Sequence, residues 1–401
     1  MFERVFKVLA SPPFLLSMLL TLAFYGEPYI PLQISRAFYT TSILIKDCLM
    51  LFLPVVIMVY IATALKEFRE KTALVILVIL IFEAISNTSA VWYAYAVGNA
   101  FGGQSVASFE AHTQELQAFF SISFLKPAFW SPDKGVLLGA LWGAQMSYYP
   151  NAFTTRILNQ SLKIVAFGLQ KIFVKVVPFF AFGFLLNLSH SGLLAHAFEH
   201  YLALISIMLV CMLVYLFFLF WLGAGFSISK AFTNFKNTLP SGAIAFTSMS
   251  SAATMPYTIA AAEKNLQNPV LARMIIPATT NIQQVGDCFI NAFLCLMILI
   301  SFGSPIPSLY SWGMFTVAFV AARYATTAVA GGAIFVMLAV YEQYLGFNQQ
   351  QIALILALNV VLDPFVTSSN VLGNGALAVL LEKVLIKCGL TGSKAESPLI
   401  I

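Results

Sequence analysis

Two carboxylates stand where an apolar chain has little reason to spend them. Asp287 closes PATTNIQQVGD (277–287), and Asp363 opens the polar run of LDPFVTSSNVLGNG (362–375). A carboxylate near mid-bilayer costs about 2.5–3.5 kcal/mol on insertion scales, so both are expected to hold an ammonium, a cation or a proton. A structural ion pair with Arg323 is the competing reading. Around them lie further hard oxygen donors: Thr367, Asn370 and Asn374 follow Asp363, and Asn281 and Gln283 precede Asp287. Ser250 and Ser251 sit in SMSSAATMPYT (248–258), and Gly332 ends RYATTAVAGG (323–332). This is solute- and ion-binding chemistry. The serines have no His/Asp partners, which argues against nucleophilic catalysis and against an enzyme. His196 and His200 flank Glu199 without forming HExxH, and Glu110 with His112 reads as part of a solvated loop. The five cysteines lack metal-ligand spacing and read as small apolar packers. No cofactor and no transition-metal site are implied. Glu83 and the adjacent Lys46–Asp47 read as scaffold or subunit contacts.

The elements that position these residues belong to a membrane. Hydrophobic residues make up 60% of the 401 and charged residues 9%, against about 25% charge in a soluble domain. Mean hydropathy is +0.88. The chain therefore reads as an all-α polytopic protein of the lipid bilayer. MFERVFKVLASPP reads as a cytoplasmic surface helix, because Glu3 and Pro12-Pro13 spoil a cleavable signal. Spans are expected at about 14–31, 38–65, 72–100, 134–150, 157–188 and 201–226. The basic residues of KEFREK (66–71), Arg156, Lys163, Lys171, Lys175, Lys230, Lys236, Lys264, Arg273, Lys383, Lys387 and Lys394 then share one side with the N-terminus, and Arg36, Lys126 and Lys134 are left outside. That bias is the positive-inside signal, with both termini cytoplasmic. It also argues against a nucleic-acid surface, since the cations are spread over many loops.

After residue 226 four polar interruptions divide the apolar sequence. The first and third are Ser/Thr/Ala/Gly-rich tips between arms too short for a 20-residue crossing, and predict re-entrant hairpins at about 229–262 and 313–345. The second and fourth predict spans that unwind midway, at about 268–303 and 349–384. Hairpin and broken span thus occur twice, as inverted repeats. This pattern points to a secondary transporter's site near the midplane, since unwound backbone in lipid must be satisfied by protein, water or ligand. The expected layout is eight transmembrane helices plus two hairpins. Residues 1–226 supply the scaffold, with the third span at about 72–100 joining a transport core at 227–385, and 386–401 form a cytoplasmic tail.

Over about 230–385 the sequence resembles the dicarboxylate/amino acid:cation symporter family. The resemblance rests on a serine-rich tip ending Thr254-Met255-Pro256, on Gln283-Gln284-Val285-Gly286 where the family has Asn-Met-Asp-Gly, on Ala330-Gly331-Gly332-Ala333, and on Asp363, Thr367, Asn370, Val371 and Gly373 in the eighth-span motif. It implies a homotrimer and an elevator-type transport domain in the plasma membrane, as in a bacterial inner membrane. It also implies substrate contacts at Ser250, Ser251, Asp287, Gly332, Asp363, Val366, Thr367 and Asn370. Cation contacts would come from Thr88, Ser89, Asn281, Gln283, Asn370 and Asn374.

The departures are specific. Val366 replaces the family's arginine, which removes the bidentate partner of an acidic side chain, while Asp363 keeps the residue type that holds an ammonium. A small neutral amino acid fits this pattern, and an acidic amino acid or dicarboxylate remains open through Arg323. Val285 and Asn374 replace two sodium-binding carboxylates, so coupling is expected to Na⁺ or H⁺, with Asp287 as one proton candidate. With those two charges gone, the same fold could also serve as an uncoupled exchanger or as an anion-leak channel.

Overall fold

The computed structural model describes residues 12–66, 71–105, 116–122, 132–149, 151–168, 172, 174–326 and 333–390. Among the described residues every regular element is helical. In chain order they are α1 (Pro12–Gly26), a short 3₁₀ turn, α2 (Leu32–Lys66), α3 (Lys71–Ser105), α4 (Pro132–Tyr148), α5 (Ala152–Phe167), α6 (Val174–His190) and α7 (Leu193–Gly223). Then follow α8 (Ile228–Ser248), α9 (Ser251–Asn265), a second 3₁₀ turn, α10 (Ala272–Thr279), α11 (Val285–Ser301), α12 (Leu309–Thr326), α13 (Ala333–Leu345) and α14 (Gln349–Lys387). Stretches within α3, α7 and α14 (Leu77–Gly102, Ala203–Gly223 and Val361–Lys387) are long and apolar enough to cross a membrane. The span expected at 157–188 contains α5 and α6, with Gly168 and Ile172 between them π-helical. Glu110, His112 and Gly332 lie outside the described residues, as do the side chains of His196 and His200.

The chain divides into two compact units. One holds 1–69, 101–203 and 294–361, and the other 70–100, 204–293 and 362–401. In the first unit α2 packs on α4 and α6. The approach is close enough that a Cβ on Gly135 would stand 2.4 Å from the Pro54 carbonyl oxygen. Small residues at such contacts let membrane helices meet backbone to backbone. Lys46 and Asp47 do not pair with each other. Lys46 reaches Glu342 of α13 at 3.2 Å, and Asp47 Oδ2 accepts the Ile122 amide at 3.0 Å. In the same unit α12 and α13 pack against each other.

The second unit contains the first hairpin. Its reversal needs only two residues: Met249 is left-handed (φ 48°), and extended Ser250 caps α9 by accepting the Ala253 amide at 3.2 Å. A left-handed non-glycine is uncommon. It is tolerated here because the Met249 N–H still closes on the Ala245 carbonyl. At 15 residues α9 is about 22 Å long, short of a hydrocarbon core of about 30 Å.

One of the two expected breaks is present and one is not. Between α10 and α11 the chain unwinds over 280–284. The eighth segment, expected to unwind around 363–375, is instead the continuous 39-residue helix α14. Pro364 removes one N–H, which leaves only the Val360 carbonyl without its intrahelical donor. The glycines that suggested unwinding serve close approach. A Cβ on Gly373 would lie 2.2 Å from Val285 Cγ1, and one on Gly286 would lie 2.5 Å from the Val366 carbonyl oxygen. Two helix-compatible glycines thus seat the start of α11 directly on α14.

This contact predicts an asymmetry. Gly373→Ala should lower the thermal stability of the purified protein by about 1–3 kcal/mol. Val285→Ala should restore part of that loss, because the obstacle is a side chain. Gly286→Ala should be as damaging and should resist rescue at position 366, because the obstacle there is a peptide oxygen. Thermal unfolding of the single and double variants in detergent checks both.

Candidate functional site

Side chains of α3 meet main-chain groups of the unwound residues 280–284, and side chains of α14 meet the Thr280 hydroxyl and the first turn of α11. On the α3 side, Asn87 donates from Nδ2 to the Ile282 carbonyl at 3.1 Å and accepts the Gln284 amide on Oδ1 at 3.2 Å. It therefore pairs with the break as a neighbouring peptide would. On the α14 side, Asn370 Oδ1 accepts the amides of Gly286 at 2.8 Å and Asp287 at 3.2 Å, capping the first turn of α11. Its Nδ2 donates to Asp287 Oδ2 at 2.8 Å, and Asn291 Nδ2 donates to Asp287 Oδ1 at 3.3 Å. Two amides thus hold the Asp287 carboxylate on both oxygens.

Asp363 lies one helical turn before Thr367, whose hydroxyl hydrogen-bonds its carboxyl, and it interacts electrostatically with Asp287. Two carboxylates in one neighbourhood favour a cationic visitor such as an ammonium or a metal ion, since like charges repel until a positive charge arrives. Val366 is buried on the same turn and brings no charge. The first hairpin runs alongside. Thr238 lies against Gly375, Gly242 against Leu372, and the rings of Phe246 and Phe365 meet edge to face at 5.0 Å. These contacts set α8 antiparallel to α14, and one further turn carries the Met249–Ser250 tip to the level of Asp363. Ser250 and Ser251 are half-buried there. Ser250 spends its oxygen on the cap, and its carbonyl accepts the Thr254 hydroxyl at 2.8 Å.

The residues expected to bind a cation divide into two sets. Gln283 and Asn374 are buried at the break: Gln283 Nε2 donates to Ser86 Oγ at 2.8 Å, and Asn374 accepts from Thr279 and donates to Thr280 at 3.4 Å. Gln283 Oε1, by contrast, is buried with no hydrogen-bond partner among the described residues. Asn281 has an exposed side chain, and only its carbonyl is engaged, by Gln284 Nε2 at 2.8 Å. Ser89 turns to Tyr215, 2.7 Å away, and Thr88 is half-buried with no hydrogen bond to the break. The α3 residues that do touch the break are Ser86 and Asn87, which the sequence reading missed. The signal was present: Glu83, Ser86, Asn87 and Ala90 follow helical i, i+3, i+4, i+7 spacing and are all buried.

A model of the sodium:dicarboxylate symporter family matches residues 13–384. No curated protein matches the chain significantly.

Asn370 carries two main-chain donors and one carboxylate oxygen, so its loss should register in stability. Asn370→Ala leaves buried groups unsatisfied and should cost about 1–3 kcal/mol. Asn370→Asp keeps the acceptor but sets a third carboxylate beside Asp287, and should cost more than the alanine change at neutral pH. Chemical or thermal unfolding of both variants measures the order.

Proposed function

The chain belongs to the sodium:dicarboxylate symporter family, and on that premise we propose that it carries a small neutral amino acid across the membrane together with Na⁺ or H⁺. Members of this family are membrane symporters rather than enzymes, so the open questions are the solute, the ion and the motion. The observation that carries the reading is the neighbourhood of Asp363 and Asp287, bounded by Thr367 and Asn370, with the buried side chain of Val366 where the family's cation would stand. Asp363 receives the substrate ammonium. Asp287 is held by Asn370 and Asn291, so it positions the start of α11 and adds to the negative field. The serine tip at 250–251 closes the same end of the site.

The main chain contributes less than unwound backbone would suggest, because the peptides at 282, 284, 286 and 287 are already taken by Asn87 and Asn370. Gln283 Oε1 is the oxygen left over for a cation, and Asn374 beside it lacks the charge of a carboxylate. A transport domain would move past a scaffold in a homotrimer, with both termini in the cytoplasm and the plasma membrane as its location. An acidic substrate would need a cation that Val366 does not supply; Arg323, 1% exposed on α12, is the candidate, with its guanidinium 4.8 Å from the Phe319 ring centre.

Uptake of labelled alanine, serine, aspartate and glutamate into proteoliposomes, with Na⁺ and pH gradients imposed separately, distinguishes these readings. The neutral pair should accumulate and the acidic pair should not. Asp363→Asn should lose a charge-assisted hydrogen bond of about 1.5–3 kcal/mol, roughly 10- to 100-fold in apparent affinity for alanine, while leaving the protein folded. Val366→Arg should shift preference toward aspartate and glutamate. Unchanged alanine uptake in Asp363→Asn would remove the ammonium assignment.

A further inference from the structure

Glu83 is the buried acid that the site above does not use. It is 0% exposed on α3, and neither carboxyl oxygen has a hydrogen-bond partner among the described residues. One turn earlier, Ile79 joins an apolar cluster with Leu266, Ile275, Ile276, Leu377 and Leu381, against which Phe82 also packs. One turn later, on the same buried face, Ser86 and Asn87 hold the unwound residues 282–284. A carboxylate stripped of water, hydrogen bonds and counter-ion is too costly to leave bare, so the group must take a positive partner.

The neighbouring charges do not supply that partner. On the elements shown against this part of α3, the charged groups are Glu263 and Lys264 on α9, Arg273 on α10, and Asp363, Glu382, Lys383 and Lys387 on α14, with Asp287 on α11; α7 brings the Tyr215 phenol, which donates to the Ser86 carbonyl at 3.4 Å. Arg273 is paired with Glu263 at 2.8 Å. Glu382 takes the Gln267 and Asn268 amides at 3.0 and 2.7 Å. A metal ion wants several oxygens around it. One turn before Glu83 the α3 side chains enter hydrocarbon, and on the Ser86 side the unpartnered oxygen is Gln283 Oε1.

We propose that Glu83 is a proton-binding site of this carrier: its carboxyl holds a proton while Asn87 and Ser86 clasp the 280–284 turn, and releases it when that clasp opens. On loading, a carboxylate oxygen forms an O–H bond with a proton from water. On release that bond breaks, the proton returns to water, and the carboxylate stays solvated. The proposal rests on the carrier reading for its function. The proton on Glu83 can be tested without transport.

The test uses the full-length protein in lipid vesicles. Infrared spectra of wild type labelled with ¹³C-glutamate, at neutral pH and without sodium, should show a protonated glutamic-acid carbonyl band that shifts in D₂O and is absent from Glu83→Gln. No such band, or one that vanishes when sodium is added together with sodium-22 binding that Glu83→Gln lacks, overturns the proton assignment. If Glu83→Gln does not fold, the wild-type labelled spectrum with and without sodium still decides. In the transport arm, Glu83→Gln should lose alanine accumulation driven by a proton gradient while keeping alanine counterflow. Retention of proton-driven accumulation overturns the coupling role. If neither wild type nor variant moves alanine, the carrier reading fails, and the infrared arm still decides whether Glu83 holds a proton.

Discussion

The unit that holds both aspartates depends on one constraint: five residues between α10 and α11 leave the helix inside packed protein, and their peptide groups must find partners there. Unpaired main-chain groups in such surroundings cost several kcal/mol each. Two asparagines meet the demand. Asn87 presents an amide that donates to one peptide of the turn and accepts from another. Asn370 gathers the first two amides of the following helix onto one oxygen. Asparagine suits both tasks because its side chain carries the donor and acceptor of a peptide without charge. Much of the surrounding architecture follows. Gly286 and Gly373 bring α14 close enough for Asn370 to reach, and the buried face of α3 carries Ser86 and Asn87 at the spacing that meets the turn.

The same arrangement explains why polar residues can be dense on α14 without unwinding it. A helix satisfies its own backbone, so Thr367, Asn370 and Asn374 are free to serve a neighbour. Two do so: Asn370 caps α11, and Asn374 joins Thr279 and Thr280, while Thr367 hydrogen-bonds Asp363 within α14. The charges that remain are then concentrated at one level. Asp363 and Asp287 interact, and Phe246 against Phe365 brings the first hairpin's tip alongside.

Composition and charge bias by themselves determined the class of this protein, because 60% apolar residues with so few charges cannot be a soluble core. The helical reversal at Met249–Ser250 and the break before α11 were also legible, since short arms and a serine-rich tip are local signals. Tertiary structure alone decided which polar stretch unwinds. NIQQ and DPFVTSSNVLGNG carry the same residue types, yet only the first leaves the helix, where Asn87 of α3 takes the Ile282 carbonyl and the Gln284 amide. It also decided that Ser86 and Asn87 face the turn while Thr88 and Ser89 do not. A rotation of 100° per residue moves adjacent side chains to different neighbours, and which neighbour lies where is set by packing between segments distant along the chain.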